Sequence, residues 1–378
     1  MAVPMPVAID ARRLQEHPFN GVGRWLANLL PRLAAEAEIV LLTDAGRPPA
    51  AFRLPDGSLV AEAPLWLPAR APEVVWVQTS VARWLRGFPG LFHGTFNQLP
   101  AAWPGPTVVT FHDLATRDHP EDFAGRPIKR SVWNVQLRQA ARQAGTIQTD
   151  SEYIRRAVIA AYAVDPGRVV VARPSVDPLF RPERRSRGQR LAAALGAGAG
   201  AGAKGSGPGS RRRGYVVAIG GARRRGLAVA VAAWAEARRR GASEDLVVAG
   251  PDTLPAQPGL VLAGRLPDDQ WADLLAGANA LVYPTRYEGF GMPALEAAAS
   301  GVPVVCAPIG PLPEVLGDAA EWCADTSVAA ITAGLRRLLS DPGRREARRE
   351  AGLAQAAAAP TWEQAAQMLL EAYRRAGS

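Results

Sequence analysis

Short apolar runs alternate with longer stretches of helical period along the chain, and the alternation occurs twice. Strands that are covered by helices on both faces are apolar throughout, so this pattern predicts doubly wound parallel α/β sheets. Between the two series, residues 191–210 read LAAALGAGAGAGAKGSGPGS, which is too poor in bulky apolar side chains to bury a core. We therefore expect two α/β domains joined by a flexible segment.

The predicted elements follow from the position of each run. In the first series we predict strands at residues 7–9, 39–43, 74–77, 91–93, 107–111, 146–148 and 169–171. Helices are predicted at residues 23–35, 128–144 and 152–162, the last behind Ser151 as its N-cap. In the second series we predict strands at residues 215–219, 246–249, 261–262, 280–283 and 304–306, with a helix that ends near residue 240.

These elements define the expected domains. Residues 1–183 and 214–360 form two Rossmann-like domains, and residues 184–213 form a flexible linker rich in Gly, Ala and Ser. Residues 361–378 have the apolar spacing of an amphipathic helix, which should pack across the domain junction.

Length, charge and cysteine content narrow the class of protein. The chain has 378 residues, a formal charge of +9 that comes largely from short arginine runs, and no recognisable nucleic-acid-binding motif. No run of about 18 apolar residues and no signal-like N-terminal core occurs, so we expect a cytoplasmic enzyme. Two cysteines and four histidines show no metal-ligand spacing, so neither a disulfide framework nor a zinc site is expected.

The most informative local sequence is PTRYEGFGMPALE, residues 284–296, in which Glu288 and Glu296 flank a loop-to-helix transition. Ligands of open α/β sheets bind beyond the carboxyl ends of strands, so Glu288 should face the crevice. The intervening glycines allow backbone to approach a ligand, and the free N–H groups of the new helix favour a diphosphate. Glu296, expected in the first helical turn, can accept hydrogen bonds from a ribose. A turn residue and a helix-dipole partner are the structural alternatives.

A second motif, AIGGARRRGL at residues 218–227, carries a buried strand into a glycine turn and a helix. Guanidinium groups bind phosphate oxygens through charge-assisted hydrogen bonds, so Arg224 and Arg225 could neutralise a diphosphate without a metal or cofactor. A basic helix start at the surface is disfavoured, because cations suit a helix N-terminus only when an anion joins them. Arg223 is an alternative phosphate ligand.

Two weaker signals lie in the first half. His112 and Asp113 follow the predicted strand at residues 107–111, where a polar pair could contact a sugar hydroxyl, although a lone histidine is usually structural. Gly21 and Gly23, in NGVGR, would let backbone amides meet a phosphate or sugar. His93 has a setting similar to that of His112.

Taken in order, these segments resemble the family-four retaining glycosyltransferases of the GT-B fold, and bacterial mannosyltransferase-like members in particular. The resemblance spans nearly the whole chain, and the E-x7-E motif with its EGFG opening is its most specific part. Further matching stretches are IDAR at residues 9–12, GVGR at 21–24, FHDL at 111–114, DSEY at 150–153, PSVD at 174–177, FRP at 180–182 and residues 220–227. The fold implied has two Rossmann-like domains that face a cleft.

The resemblance also implies roles for residues of the second domain. Glu288 would contact the donor sugar beside the anomeric carbon, and Glu296 would bind the nucleotide ribose. The amides of Gly289, Phe290 and Gly291 would contact the sugar or its phosphate.

The remaining implied roles concern the diphosphate and the first domain. Arg224 and Arg225 would hold the diphosphate, and His112, with Asp113 beside it, would approach the donor sugar from the other domain. The loop at residues 21–23 would close on the phosphates, which requires domain closure.

The implied reaction is metal-independent transfer of a hexose, with mannose from GDP-mannose as the best guess, to an acceptor hydroxyl with retention. The acceptor could be lipid-linked, with peripheral contact at the inner face of the membrane, where RWLR at residues 83–86 is a candidate although a buried helix face is favoured. The alternatives are an epimerase or phosphorylase of the same fold, and a non-catalytic binder of polyanions or membranes. The sequence leaves the acceptor and the oligomeric state open.

Overall fold

The structure is a computed structural model that describes residues 5–16, 21–44, 59–63, 73–123, 125, 127–197, 214–251 and 253–377. It divides into two compact units. The first comprises Met1–Ser175 together with Pro360–Ser378, and the second comprises Val176–Ala359.

The first unit is built on a seven-stranded parallel sheet of order β3-β2-β1-β4-β5-β6-β7. Its strands are β1 (Val7–Asp10), β2 (Ile39–Asp44), β3 (Leu59–Ala63), β4 (Leu91–Gly94), β5 (Thr107–Phe111), β6 (Thr146–Thr149) and β7 (Val169–Val171). Its helices before residue 175 are α1 (Gly21–Ala34), α2 (Glu73–Trp76), α3 (Ala82–Trp84), α4 (Ala115–Asp118), α5 (Pro127–Gln143) and α6 (Glu152–Tyr162).

The second unit has a six-stranded parallel sheet of order β10-β9-β8-β11-β12-β13. Its strands are β8 (Tyr215–Ile219), β9 (Asp245–Ala249), β10 (Leu260–Gly264), β11 (Leu281–Val282), β12 (Val304–Cys306) and β13 (Ala320–Trp322). Its helices are α7 (Arg185–Ala194), α8 (Leu227–Arg239), α9 (Asp268–Gly277), α10 (Met292–Ala299), α11 (Leu312–Leu316), α12 (Val328–Ser340) and α13 (Pro342–Ala358). The last helix, α14 (Trp362–Gly377), returns to the first unit.

The prediction of two doubly wound sheets is confirmed. Central strands such as β5 and β9 are buried along their whole length, because their apolar side chains meet helices on both faces of the sheet. Every strand pairing is parallel, so the carboxyl ends of the strands in each sheet lie along one edge.

The structure differs from the predicted elements at three places. Residues 74–77 are not a strand, because helix α2 and a following π-helical segment, Val77–Val81, bury the side chains of Trp76 and Val77 in the core. A short apolar run fits a buried helix as well as a strand. Strands β3 and β13 were not predicted.

The predicted linker at residues 184–213 is partly helical. Helix α7 packs on α9 through Gly188, where an added Cβ would lie 1.8 Å from the carbonyl oxygen of Asp273. Residues 198–213, which hold most of the Gly/Ala/Ser tract, lie outside the described residues. Throughout the part of the chain that the structure describes, no helix combines the length and apolarity needed to cross a bilayer.

Candidate functional site

Both sheets reverse their strand order at one point, which is where doubly wound proteins form a ligand crevice. In the second sheet the reversal lies between β8 and β11, and in the first it lies between β1 and β4. The arginine motif follows β8, and the EGFG motif follows β11. The topology therefore brings the two strongest sequence signals to adjacent strand ends of one sheet.

The arginine turn is fastened to the loop after β11. Residues Arg223–Arg225 form a 3-10 turn that ends at Gly226, whose φ is +69°. An added Cβ on Gly226 would lie 2.3 Å from the carbonyl oxygen of Pro284, so this close approach requires glycine. The backbone N–H of Arg286 donates a hydrogen bond to the carbonyl oxygen of Arg224 at 2.8 Å.

The three arginine side chains of this turn differ in environment. Arg223 is exposed, whereas Arg224 and Arg225 are half-buried. Nη1 of Arg225 donates to the carbonyl oxygen of Gly220 at 2.9 Å, which folds its guanidinium over the turn. The positive charges of both half-buried arginines act to lower the pKa of Tyr283, so they contribute to the electrostatics of the loop that carries Glu288.

Glu288 is held through one of its two carboxylate oxygens. The hydroxyl of Tyr283 donates to Oε1 of Glu288 at 2.5 Å, and the hydroxyl of Thr285 lies 3.2 Å from the same atom. Oε2 makes no hydrogen bond within the described part of the chain, and the side chain is half-buried. Burial first, and the Glu288 charge second, raise the pKa of Tyr283 well above its ordinary value, although Arg225 and Arg224 oppose this. Glu288 therefore has one anchored oxygen, Oε1, and one oxygen, Oε2, without a hydrogen bond to a described residue.

Glu296 lies deeper than predicted. It is the fifth residue of α10, in the second turn rather than the first, and only 1% of its surface is exposed. The indole Nε1 of Trp271, on α9, donates to Oε2 of Glu296 at 2.9 Å. The carboxylate is thus fixed by a neighbouring helix and does not merely complement the dipole of its own helix.

The segment between the two glutamates turns sharply into α10. Gly291 caps the helix with a φ of +96°, and an added Cβ would lie 2.6 Å from Cδ2 of Leu312. The side chain of Phe290 is buried in the hydrophobic core, and Gly289 is half-buried. A ligand contact at these three residues would therefore be made by their backbone, and contact of the amides with the sugar or its phosphate stays a prediction.

In the first unit, His112 is enclosed by two hydrogen-bond acceptors. Its Nδ1 lies 2.6 Å from Oδ2 of Asp150, and its Nε2 lies 2.9 Å from the carbonyl oxygen of Thr95. Neither acceptor can donate, so the arrangement favours the doubly protonated imidazolium. Burial lowers the pKa of His112, but the Asp150 carboxylate and the Thr95 carbonyl outweigh burial and raise the pKa above its ordinary value.

The two hydrogen bonds of the His112 ring limit its predicted contact with a sugar hydroxyl. Both ring nitrogens of His112 are engaged, so the imidazole presents no unpaired nitrogen to a ligand in this conformation. The Asp113 carboxylate accepts a hydrogen bond from the Ala115 amide at 3.1 Å, which ties the turn before α4. His112 and Asp113 as catalytic residues stay a prediction.

His93 has a structural environment. It is fully buried, with Nδ1 2.9 Å from the hydroxyl of Tyr373 on α14 and Nε2 2.8 Å from the hydroxyl of Thr110. Burial, followed by the charge of His112, lowers its pKa to about 3, so His93 is neutral. It links the C-terminal helix to the sheet.

The predicted glycine loop at residues 21–23 is instead the first turn of α1. Gly21 is exposed, with no atom within 4 Å of an added Cβ, and Gly23 is buried. Residues 17–20, which lead into the helix, lie outside the described residues. Phosphate binding by these glycines stays a prediction.

Sequence reasoning missed Asp150, Tyr283 and Trp271 as partners of the predicted site residues. Asp150 directly follows a predicted strand and Tyr283 ends one, so their positions at strand ends were a usable signal. Trp271 lies on a helix 25 residues before Glu296, and no local pattern marks that pairing.

Comparison with known proteins identifies the family. Residues 19–179 match the model of Glycosyltransferase Family 4, and residues 222–355 match that of Glycosyl transferases group 1, which together account for more than half of the chain. The chain belongs to the group 1 glycosyltransferases.

Individual relatives agree with this assignment. The chain is 30% identical over 296 residues to an MMP alpha-(1->4)-mannosyltransferase of Mycolicibacterium hassiacum, a match that covers 72% of this chain and 66% of the relative. It is 43% identical over 111 residues to the O-antigen chain mannosyltransferase B of Escherichia coli, a match that covers 29% of each chain. The chain thus spans less than two thirds of the length of these relatives.

A solved structure confirms the GT-B fold. WaaG, described as a glycosyltransferase involved in lipopolysaccharide biosynthesis, superposes with a TM-score of 0.73 at 16% identity. The superposition covers 97% of this chain and 99% of that one.

Proposed function

We propose that the protein is a retaining glycosyltransferase that moves a hexose from a nucleoside-diphosphate sugar to an acceptor hydroxyl. The observation that carries the proposal is the pairing of a cationic turn with an acidic loop at the switch point of the second sheet. The carbonyl oxygen of Arg224 accepts a hydrogen bond from the amide of Arg286, in the loop that carries Glu288, and the hydroxyl of Tyr283 donates to Glu288. Guanidinium groups suit a diphosphate, and a carboxylate suits sugar hydroxyls.

In the proposed step the bond between the anomeric carbon and the diphosphate oxygen breaks. The acceptor oxygen bonds to the same face of that carbon, and the acceptor proton passes to the departing diphosphate. Arg224 and Arg225 would stabilise the negative charge that develops on the leaving group, while Oε2 of Glu288 holds the sugar. Because the guanidiniums supply the positive charge, we expect the reaction to proceed in the presence of EDTA.

We propose mannose from GDP-mannose as the donor, which the names of the two mannosyltransferase relatives support. Melting temperatures measured with GDP, UDP, ADP and dTDP test the base, since a bound nucleotide raises the melting temperature. We expect the largest rise in melting temperature with GDP, and mannosyl transfer to an acceptor when GDP-mannose is the donor.

Two other results would indicate the alternative functions. Donor turnover without acceptor, or with phosphate alone, would indicate an epimerase or phosphorylase. Salt-sensitive binding to polyanions without any nucleotide-induced rise would indicate a non-catalytic binder.

The site assignment is tested by Glu288→Ala. We expect turnover to fall at least about tenfold, because the sugar loses a contact beside the reacting carbon. Glu350→Ala, at an exposed position of α13, is the matched control and should leave turnover unchanged. A smaller loss for Glu288→Ala with an unchanged melting temperature would contradict the assignment.

A further inference from the structure

Helix α5 is apolar on both of its faces. Leu137, Ala140 and Ala141 are buried against the sheet of the first unit. On the opposite face Ile128, Val132 and Val135 are exposed to 80%, 40% and 65%. Their spacing of four and three residues aligns them in one stripe along the helix. No described residue covers this stripe.

The charges of α5 are all of one sign. The helix carries Lys129, Arg130, Arg138 and Arg142 and has no Asp or Glu. Arg138 and Arg142 lie one turn apart on one flank of the stripe, and neither forms an ion pair with a described residue. Like charges at this spacing destabilise a helix unless an anion joins them.

A groove beside the stripe adds space for a ligand. It has a volume of about 860 Å³ and is lined by Arg138 and Arg142 together with Trp103, Asn134 and Val135. The groove therefore joins one member of the apolar stripe to both unpaired guanidiniums.

We infer that the outer face of α5, formed by Ile128, Val132, Val135, Arg138 and Arg142, docks on an anionic lipid bilayer. Helices that lie in the membrane interface combine an apolar face with flanking cations, and these five side chains have that composition. The apolar side chains enter the boundary between headgroups and acyl chains, and the guanidiniums pair with lipid phosphates. A second copy of the chain would bring like charges together across a two-fold contact, so charge complementarity favours the anionic surface.

Docking through α5 also has a consequence for the crevice of the first unit. The ring of Trp133, on α5, packs edge-on against Phe96 with 5.6 Å between centroids, and Phe96 lies 6.3 Å from the ring of His112. The docked helix would hold the carboxyl ends of β4 and β5, which Phe96 and His112 follow, beside the membrane. Delivery of a lipid-linked acceptor to that edge rests on the proposed function, whereas docking itself does not.

Co-sedimentation with vesicles tests the docking surface. Wild-type protein should bind phosphatidylcholine vesicles that contain phosphatidylglycerol, and should not bind pure phosphatidylcholine. Arg138→Gln/Arg142→Gln should weaken binding by about 25-fold, since each cation near an anionic surface strengthens binding by roughly fivefold. Ile128→Gln/Val132→Gln/Val135→Gln should weaken binding at least about tenfold.

Matched controls change the same chemistry elsewhere. Arg187→Gln/Arg190→Gln removes two exposed charges of α7, and Val328→Gln/Met368→Gln removes side chains exposed to 37% and 40%. Both controls should bind like the wild type. All variants replace exposed residues, so their melting temperatures should match that of the wild type, and nucleotide binding in solution should be unchanged.

Several results would overturn the inference. These are equal binding to zwitterionic vesicles, undiminished binding by the α5 variants, and binding lost equally in the controls. Self-association that the stripe variant abolishes, without vesicle binding, would assign the face to a second copy. Saturation of the arginines by inorganic phosphate, with no preference for vesicles, would assign it to a free anion. Vesicle binding without any glycosyl transfer would contradict the proposed function and leave the docking surface standing.

Discussion

The buried hydroxyl of Tyr283 donates a hydrogen bond to Oε1 of Glu288 at 2.5 Å. Because burial and the adjacent carboxylate hold the pKa of Tyr283 well above its ordinary value, the phenol stays protonated and remains a donor at every physiological pH. The bond orients the carboxylate so that Oε2 is left for a ligand. Tyr283 is thus a positioning residue for Glu288.

Removal of this hydroxyl should therefore affect turnover more than binding. For Tyr283→Phe we expect kcat to fall about tenfold while the affinity for the nucleoside diphosphate changes less than about twofold, since the ring still fills its place in the core. Loss of one buried hydrogen bond should cost about 1 kcal/mol of unfolding free energy. Steady-state kinetics and nucleotide titration measure the two effects.

Tyr215→Phe provides the matched control for this variant. Tyr215 is also buried, and its hydroxyl donates to the carbonyl oxygen of Leu274 at 2.6 Å, a partner that takes no part in the proposed site. It should lose similar stability with unchanged kcat. Equal kinetic losses in the two variants would mean that Tyr283 acts only through stability.

Much of the fold could be read from the sequence because buried parallel strands are continuous apolar runs. Strands β5, β7, β8 and β12 have the predicted bounds. The prediction was wrong at residues 74–77, where three valines and a tryptophan suit a strand by propensity, but tertiary packing selects a helix. Local composition does not determine which neighbour will cover an apolar run of four residues.

The candidate site was partly predictable for a related reason. Glu288 and the arginine turn are local motifs at strand ends, and the sheet order brings them together. The hydrogen bond from His112 to Asp150 joins residues 38 apart, and that from Trp271 to Glu296 joins residues 25 apart. Such pairings depend on how helices and strands pack, which the spacing of residues does not encode.

Trp271 should control nucleotide affinity through Glu296. Its indole N–H fixes Oε2 of Glu296, the carboxylate proposed to bind the ribose. For Trp271→Phe we expect the Kd for the nucleoside diphosphate to rise about tenfold, with little change in kcat at saturating donor, because the ribose is remote from the reacting carbon. Isothermal titration and steady-state kinetics separate these quantities.

Trp234→Phe is the control for Trp271. Trp234 lies on α8, whereas Trp271 lies on α9 of the same unit. The indole N–H of Trp234 donates to the carbonyl oxygen of Glu244 at 2.9 Å. This variant should lose stability but keep the wild-type Kd. If Trp271→Phe also kept the wild-type Kd, Trp271 would not orient Glu296 for the ribose.

The pair of His112 and Asp150 should make stability depend on pH in a defined sense. The folded protein raises the pKa of His112 above the value of about 6.5 expected in the unfolded chain, so the folded state binds the proton more tightly. The stabilisation is fully present below about pH 6.5 and is lost as the pH rises through the folded pKa. His93, with its pKa lowered to about 3, affects stability in the opposite sense and only below about pH 6.5, so measurements above that pH isolate His112.

Urea unfolding should therefore show a wild-type free energy of unfolding that declines with rising pH above 6.5. The dependence should be flatter for Asp150→Asn, because that variant removes the charge that holds the proton on His112. Asp165→Asn, where the carboxylate only accepts a hydrogen bond from the Gly167 amide, should keep the wild-type decline, and an equal slope in Asp150→Asn would show that the Asp150 charge is not what raises the pKa of His112.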